Sequence, residues 1–129
     1  MQSSDFTDIE ISNLTVEVPA LHMLEEKYVI VHCFVTAPLD IGVRVLQETY
    51  LREKDGLGCS KLLHVFGVTM MPEWTWIEKG LTLSFTLVFE PLTIGCNSFD
   101  LAEETDELFP IFVSDIPRNS FDVYKVNLL

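Results

Sequence analysis

Basic residues are scarce. Lys and Arg together number 8 against 20 Asp and Glu, which gives a formal charge of −12 and a pI near 4.4. Such a surface repels a phosphate backbone, so nucleic acid and anionic lipid are poor partners. Long apolar runs are also missing. The mean hydropathy of +0.28 is high, yet charges interrupt every apolar stretch well short of the roughly 18 residues of a membrane span, so no membrane insertion is expected. The three cysteines, Cys33, Cys59 and Cys96, are an odd count at wide spacing with no Cys-x-x-Cys, which argues against a disulfide scaffold and a zinc site. No glycine-rich phosphate loop, Gly-x-Ser-x-Gly elbow or His-Glu-x-x-His pair occurs. The histidines His22, His32 and His64 are scattered. A His32–Cys33 dyad fails because neighbouring residues of a strand point to opposite faces. No catalytic residue, metal or cofactor is therefore expected. Met1-Gln-Ser-Ser-Asp5 lacks the basic and apolar regions of a signal peptide, so the chain reads as cytoplasmic or as the mature fragment of an exported protein.

What is present reads as β-structure. At 129 residues, 48% hydrophobic and 22% charged, the chain suits one domain, 1–129, with a single core and lies far from the composition of disorder. The clearest stretch is Gly80–Leu92. Leu81, Leu83, Phe85, Leu87 and Phe89 alternate with Thr82, Ser84, Thr86, Val88 and Glu90, the pattern of a strand with one buried face. Pro91, which has no amide hydrogen, ends it. Tyr28–Val35 is apolar on both faces and reads as a central strand, with His32 a satisfied histidine rather than a ligand. These two strands are expected to face each other across the core.

The remaining segments read as shorter strands and turns. Ile9, Ile11, Leu14, Val16 and Val18 suggest an extended segment with a phase change near Ser12–Asn13, and Asn13-Leu14-Thr15 matches a glycosylation sequon to which no function is assigned. Ala20–Lys27 reads as a connecting turn or short helix. Ile41, Val43 and Val45 alternate. Asp55-Gly56 marks a tight turn whose flanks can pair as a hairpin, and Lys61–Val68 reads as a strand running into a loop. Phe99–Glu104 suits a short strand or a helix start, with Asp100 and Glu103 at capping-box spacing. Glu103, Glu104, Asp106 and Glu107 carry oxygen ligands but lack the register of a calcium loop, so a solvated acidic loop is expected. Phe109–Ile116 and Asn119–Leu128 supply the last extended segments.

Three segments carry a resemblance: Thr49-Tyr50-Leu51 followed by the Asp55-Gly56 turn; Leu63–Val68 with its Gly67; and Phe85–Leu92 leading to Phe99-Asp100-Leu101. Together they resemble uncharacterised bacterial immunoglobulin-like β-sandwich domains. The resemblance implies an all-β, antiparallel two-sheet sandwich of about seven to nine strands, and it implies no reaction. The cysteines and the Trp74, Trp76 pair depart from that pattern.

Trp74 and Trp76 would share one face of an extended segment. The tendency of tryptophan to be largely buried places them over one end of the core. If they face solvent instead, they could grip a peptide or stack on a sugar. The function expected is that of a non-catalytic binding or assembly domain that contacts another protein through a strand edge or through Trp74 and Trp76. The alternatives are a carbohydrate-binding module using the same pair, and an enzyme with Cys59 or Cys96 as an exposed nucleophile. Homo-oligomerisation stays open.

Overall fold

The computed structural model describes residues 28–54, 56, 58–103 and 110–128. The extended segment before Pro19, the sequon at Asn13, the turn or helix Ala20–Lys27 and the acidic residues Glu104, Asp106 and Glu107 lie outside the described residues. Those described contain nine strands and no helix: β1 (Val29–Thr36), β2 (Ile41–Val43), β3 (Tyr50–Glu53), β4 (Cys59–Phe66), β5 (Thr75–Ile77), β6 (Thr82–Phe89), β7 (Ser98–Ala102), β8 (Phe112–Pro117) and β9 (Val123–Asn127). Seven form one sheet in the order β9-β1-β6-β4-β3-β7-β8, and β2 and β5 form a second, two-stranded sheet.

The period-two pattern decides which side chains go inward. In β1, Val29, Val31, Cys33 and Val35 are buried, while Ile30, His32 and Phe34 are half-buried on the other face. In β6 the inward set is Phe85, Leu87 and Phe89, and Leu83 is half-buried. Leu81 falls before the strand and is exposed. The two strands do not oppose each other across the core as their sequences suggest. They are hydrogen-bonded neighbours, with Val29 opposite Phe89, Val31 opposite Leu87 and Cys33 opposite Phe85. Both feed the same wall of the core as cross-strand pairs. His32 is satisfied on the outer face by Thr86 Oγ1, 2.8 Å from its Nδ1.

The opposite wall comes from Leu51 in β3 and from Phe99 and Leu101 in β7, all buried. The Phe99 ring meets the Tyr124 ring of β9 edge-on, with centroids 5.0 Å apart at 80°. β7 and β9 stand at the sixth and first places of the sheet. A contact between them requires the sheet to curl almost into a barrel. The expected pair of clearly separate antiparallel sheets is thus replaced by one strongly curved, mostly antiparallel sheet, in which β9 pairs with β1 in parallel.

The curl is imposed by a short connection. β8 and β9 occupy the two ends of the sheet, yet only residues 118–122 join them, a span of at most roughly 18 Å. Within that turn Asn119 Oδ1 accepts the amides of Phe121 (3.0 Å) and Asp122 (2.7 Å), and Asp122 adopts a left-handed φ of 55°. The Arg118 guanidinium grips the Asp122 carboxylate with two bonds of 3.1 Å, and Tyr124 donates its hydroxyl to the same carboxylate at 2.7 Å. Arg118 also donates to the carbonyls of Thr93 and Cys96 in the loop before β7. The Asp122 carbonyl accepts the Ile30 amide at 2.9 Å, which starts the parallel pairing.

Phe85 lies within 3% of complete burial at the centre of the β1–β6 wall. Phe85→Ala should cost about 3–5 kcal/mol. Urea denaturation of the two proteins checks this, and a loss under about 1 kcal/mol would contradict the placement.

Candidate functional site

The two-stranded sheet lies against the core with one face and turns the other to solvent. Ile41 pairs with Ile77 and Val43 with Thr75, and Ile41, Val43 and Ile77 are half-buried against the core cluster. By alternation Gly42 and its partner Trp76 point outward, and so do Arg44 and Trp74, one register step further on. The result departs from the core placement expected of tryptophan: Trp74 is 43% exposed and Trp76 69%. The inward positions of β5 are occupied by Thr75 and Ile77, so the phase of the strand leaves the indoles no way in.

The indoles are held by what surrounds them. Their ring centroids are 6.1 Å apart with planes tilted by 38°. Both rings lie over Gly42, where a Cβ would sit 2.9 Å from Cε3 of Trp74 and 3.2 Å from Cη2 and Cζ3 of Trp76. Only a residue without a side chain allows that approach. The Arg44 guanidinium lies 3.9 Å from the centroid of the Trp74 ring, a cation–π contact. The approach to Trp74 is tied down as well. Thr69 donates its hydroxyl to the Glu73 carbonyl at 2.9 Å, its amide bonds Thr75 Oγ1 at 3.1 Å, and Val45 donates its amide to the Thr69 carbonyl and accepts the Met71 amide, each at 3.0 Å. At the other end Asp40 Oδ1 accepts the Lys79 amide at 2.8 Å.

A second polar centre forms where β3 meets β7. Asp100 points away from Phe99 and Leu101 but is covered all the same, at 1% exposure. Its carboxylate receives Arg52 Nη2 at 2.8 Å, the Asp115 amide at 2.9 Å and Lys54 Nζ at 3.4 Å. Burial alone would raise the Asp100 pKa, but the amide, the guanidinium and the ammonium outweigh it and hold the carboxyl below its ordinary 3.8. Asp100, Arg52 and Lys54 border an open hollow of about 450 Å³ that Cys59 also lines. Asp100 thus caps no helix; it anchors the bulge in the β7–β8 pairing.

Glu103 differs from expectation too. It is buried, not part of a solvated loop, and its carboxylate accepts the amides of Leu46 and Ile111, each at 3.1 Å, and the Thr49 hydroxyl at 3.2 Å. The nearby Glu53 is buried with Oε2 on the Thr93 amide at 2.8 Å and with Oε1 unpaired.

None of the three cysteines is in a disulfide, and only Cys59 is exposed. Cys96 is buried and directs its thiol to the Ser98 carbonyl, which removes it from the exposed nucleophiles considered above. Burial pushes the Cys33 thiol up to about 12. Cys59 and His64 share β4, but five residues of strand put them roughly 17 Å apart. Among the described residues no group of three or more His, Cys, Asp and Glu side chains is placed to hold a metal ion.

The class of protein these observations define is an all-β domain, one curled seven-stranded sheet with a two-stranded sheet laid on it. Comparison with protein-family models, with curated proteins and with solved structures finds no match.

The Asp100 cluster has a defined pH signature. A carboxyl whose pKa falls on folding contributes stability above 3.8, and that contribution is lost as pH drops through the lower folded value. Asp100→Asn should therefore cost about 1–2 kcal/mol at neutral pH, the partners being partly solvated, with the difference from the parent shrinking in acid. Urea titrations at pH 7 and in steps below pH 4 check it; a difference that stays constant would contradict the assignment.

Proposed function

We propose that this chain is a non-catalytic binding or assembly domain that engages another protein through the outer face of β2 and β5, with Trp76 as the anchor. The observation that carries the reading is the pair of exposed indoles fixed over Gly42 on a short sheet. An indole as exposed as that of Trp76 keeps much of its apolar surface in water, and tryptophan and arginine are the residues that most often dominate protein interfaces. Anchors already held in place also lose less entropy on binding. The aromatic face is a better candidate than a strand edge, because the β8 edge is interrupted by the left-handed Asp115 at the β7–β8 bulge and closed by Pro117. The net charge of −12 disfavours a second copy of the chain as the partner.

A carbohydrate-binding module is the lesser reading. One face of Trp74 is covered by Arg44, and the 38° tilt prevents the two rings from forming a flat platform for sugars. A cysteine-dependent enzyme draws the least support, since Cys59 has no described imidazole near it. The two-sheet, immunoglobulin-like description of the fold belongs to the same proposal. The halves β9-β1-β6-β4 and β3-β7-β8 would serve as its layers, with Phe99 and Tyr124 meeting between them.

Affinity capture from the native source with the parent, Trp76→Ala and Trp74→Ala proteins tests the reading. Trp76→Ala should lose the partner while its melting free energy stays within about 0.5 kcal/mol of the parent, as for an exposed side chain. Undiminished capture, or an unfolded variant, would overturn it.

A further inference from the structure

The outer face of the small sheet is built in three cross-strand rows. The observed register pairs Ile41 with Ile77, Gly42 with Trp76 and Val43 with Thr75. Continued one step at each end, it sets Arg44 beside Trp74 and Asp40 beside Glu78, on the same face as Gly42 and Trp76. Both continuations have a contact to support them: the Arg44 guanidinium lies on the Trp74 ring, and Asp40 Oδ1 is bound to the amide of Lys79. The first row is thus a cation on an indole. In the second row both indoles close over Gly42, and the side of the Trp76 ring turned away from it is left to solvent: Trp76 is 69% exposed and carries no cation from the described residues. By the same continuation the third row sets two acidic residues side by side, and like charges across a strand pair cost free energy that a positive group near them would relieve. Glu78 is exposed and makes no ion pair with a described residue.

We propose that this face receives a cationic side chain of a basic partner segment, laid on the solvent side of the Trp76 ring with its charge toward Glu78 and Asp40. The geometry repeats the Arg44–Trp74 contact already present in the fold. An arginine fits it best, since the planar guanidinium stacks on an indole while its edge donates to a carboxylate. The charge of −12 adds long-range attraction for such a partner and repels an acidic one. This inference rests on the binding role proposed above and supplies the chemistry of what is bound.

The probe is a short peptide of alternating arginine and glycine, with lysine and citrulline versions of the same length as controls. The chain has only two tryptophans, so its tryptophan emission reports on this face and nothing else. Titration with the arginine peptide should give a saturable change that weakens as salt is raised, a weaker response to lysine and none to citrulline. Glu78→Gln should weaken arginine binding about threefold or more, with the melt unchanged. Trp76→Ala should abolish it when followed by calorimetry. Equal binding of the citrulline peptide, or no effect of Glu78→Gln and Asp40→Asn, overturns the inference. The two levels separate in a competition experiment. If the native partner is captured through Trp76 but is not displaced by the arginine peptide, the cationic occupant is wrong and the binding role stands. If capture ignores Trp76, both fall.

Discussion

The connection from β8 to β9 constrains everything else, because five residues must join strands that lie at opposite ends of a seven-stranded sheet. A flat sheet of that width spans roughly 29 Å between its outer strands, more than the turn can reach. The sheet therefore curls until β7 and β9 touch, and the Arg118–Asp122–Tyr124 cluster fixes the closure. Asp122 bonding raises the pKa of Arg118 further, while burial and the same carboxylate push Tyr124 up to about 12. A buried ion pair offers little net stability against a hydrophobic replacement. Its contribution here is directional: the guanidinium also reaches the carbonyls of Thr93 and Cys96, so one side chain ties the β8–β9 turn to the loop before β7, while the Asp122 carbonyl binds the start of β1.

Closing the sheet on itself turns the inward face of its described strands to the core. The polar side chains that are buried serve the framework. Asp100 secures a bulge, Glu103 ties the end of β7 to the turn at Leu46–Thr49, and Glu53 holds the Thr93 loop. What stands outside this framework is the small β2–β5 sheet, whose inner face is anchored by Ile41, Val43 and Ile77 and whose outer face carries Arg44, Trp74 and Trp76. A rigid base and an aromatic outer face are what a recognition surface needs. Two further exposed apolar groups, Ile94 at 97% and Phe121 at 74%, stand on loops joined through Arg118, but they lack a comparable supporting sheet.

Much of the strand content was legible because it depends on local alternation. Gly80–Leu92 reads as a strand from Leu83, Phe85, Leu87 and Phe89, and the Asp55-Gly56 signal correctly joins β3 to β4. Pairing was not legible, since alternation says which side chains are inward and not which strand lies alongside. β1 and β6 carry complementary inward faces whether they are neighbours or opposites, and the parallel β9–β1 pairing depends on a turn whose hydrogen bonds only the folded chain displays. Trp74 and Trp76 were correctly placed on one face, but the choice between inside and outside depended on Ile77 and Thr75 taking the inward phase. Gly42 and Arg44 gave no sign of their part; Ile41 and Val43, read as an inward pair, would have pointed to the residues between and beside them. Asp100 read as a capping residue and Glu103 as part of a solvated acidic loop because their partners, Arg52 and the Leu46 and Ile111 amides, come from other parts of the chain.

The most direct test of the curled sheet is a set of proton–proton distances in solution. Nuclear Overhauser spectra of the labelled protein should connect the ring protons of Phe99 with those of Tyr124, together with the backbone contacts of a parallel pairing that sets Lys125 beside His32. Absence of the Phe99–Tyr124 contacts, or an antiparallel pattern between β9 and β1, would contradict the closure on which the account depends.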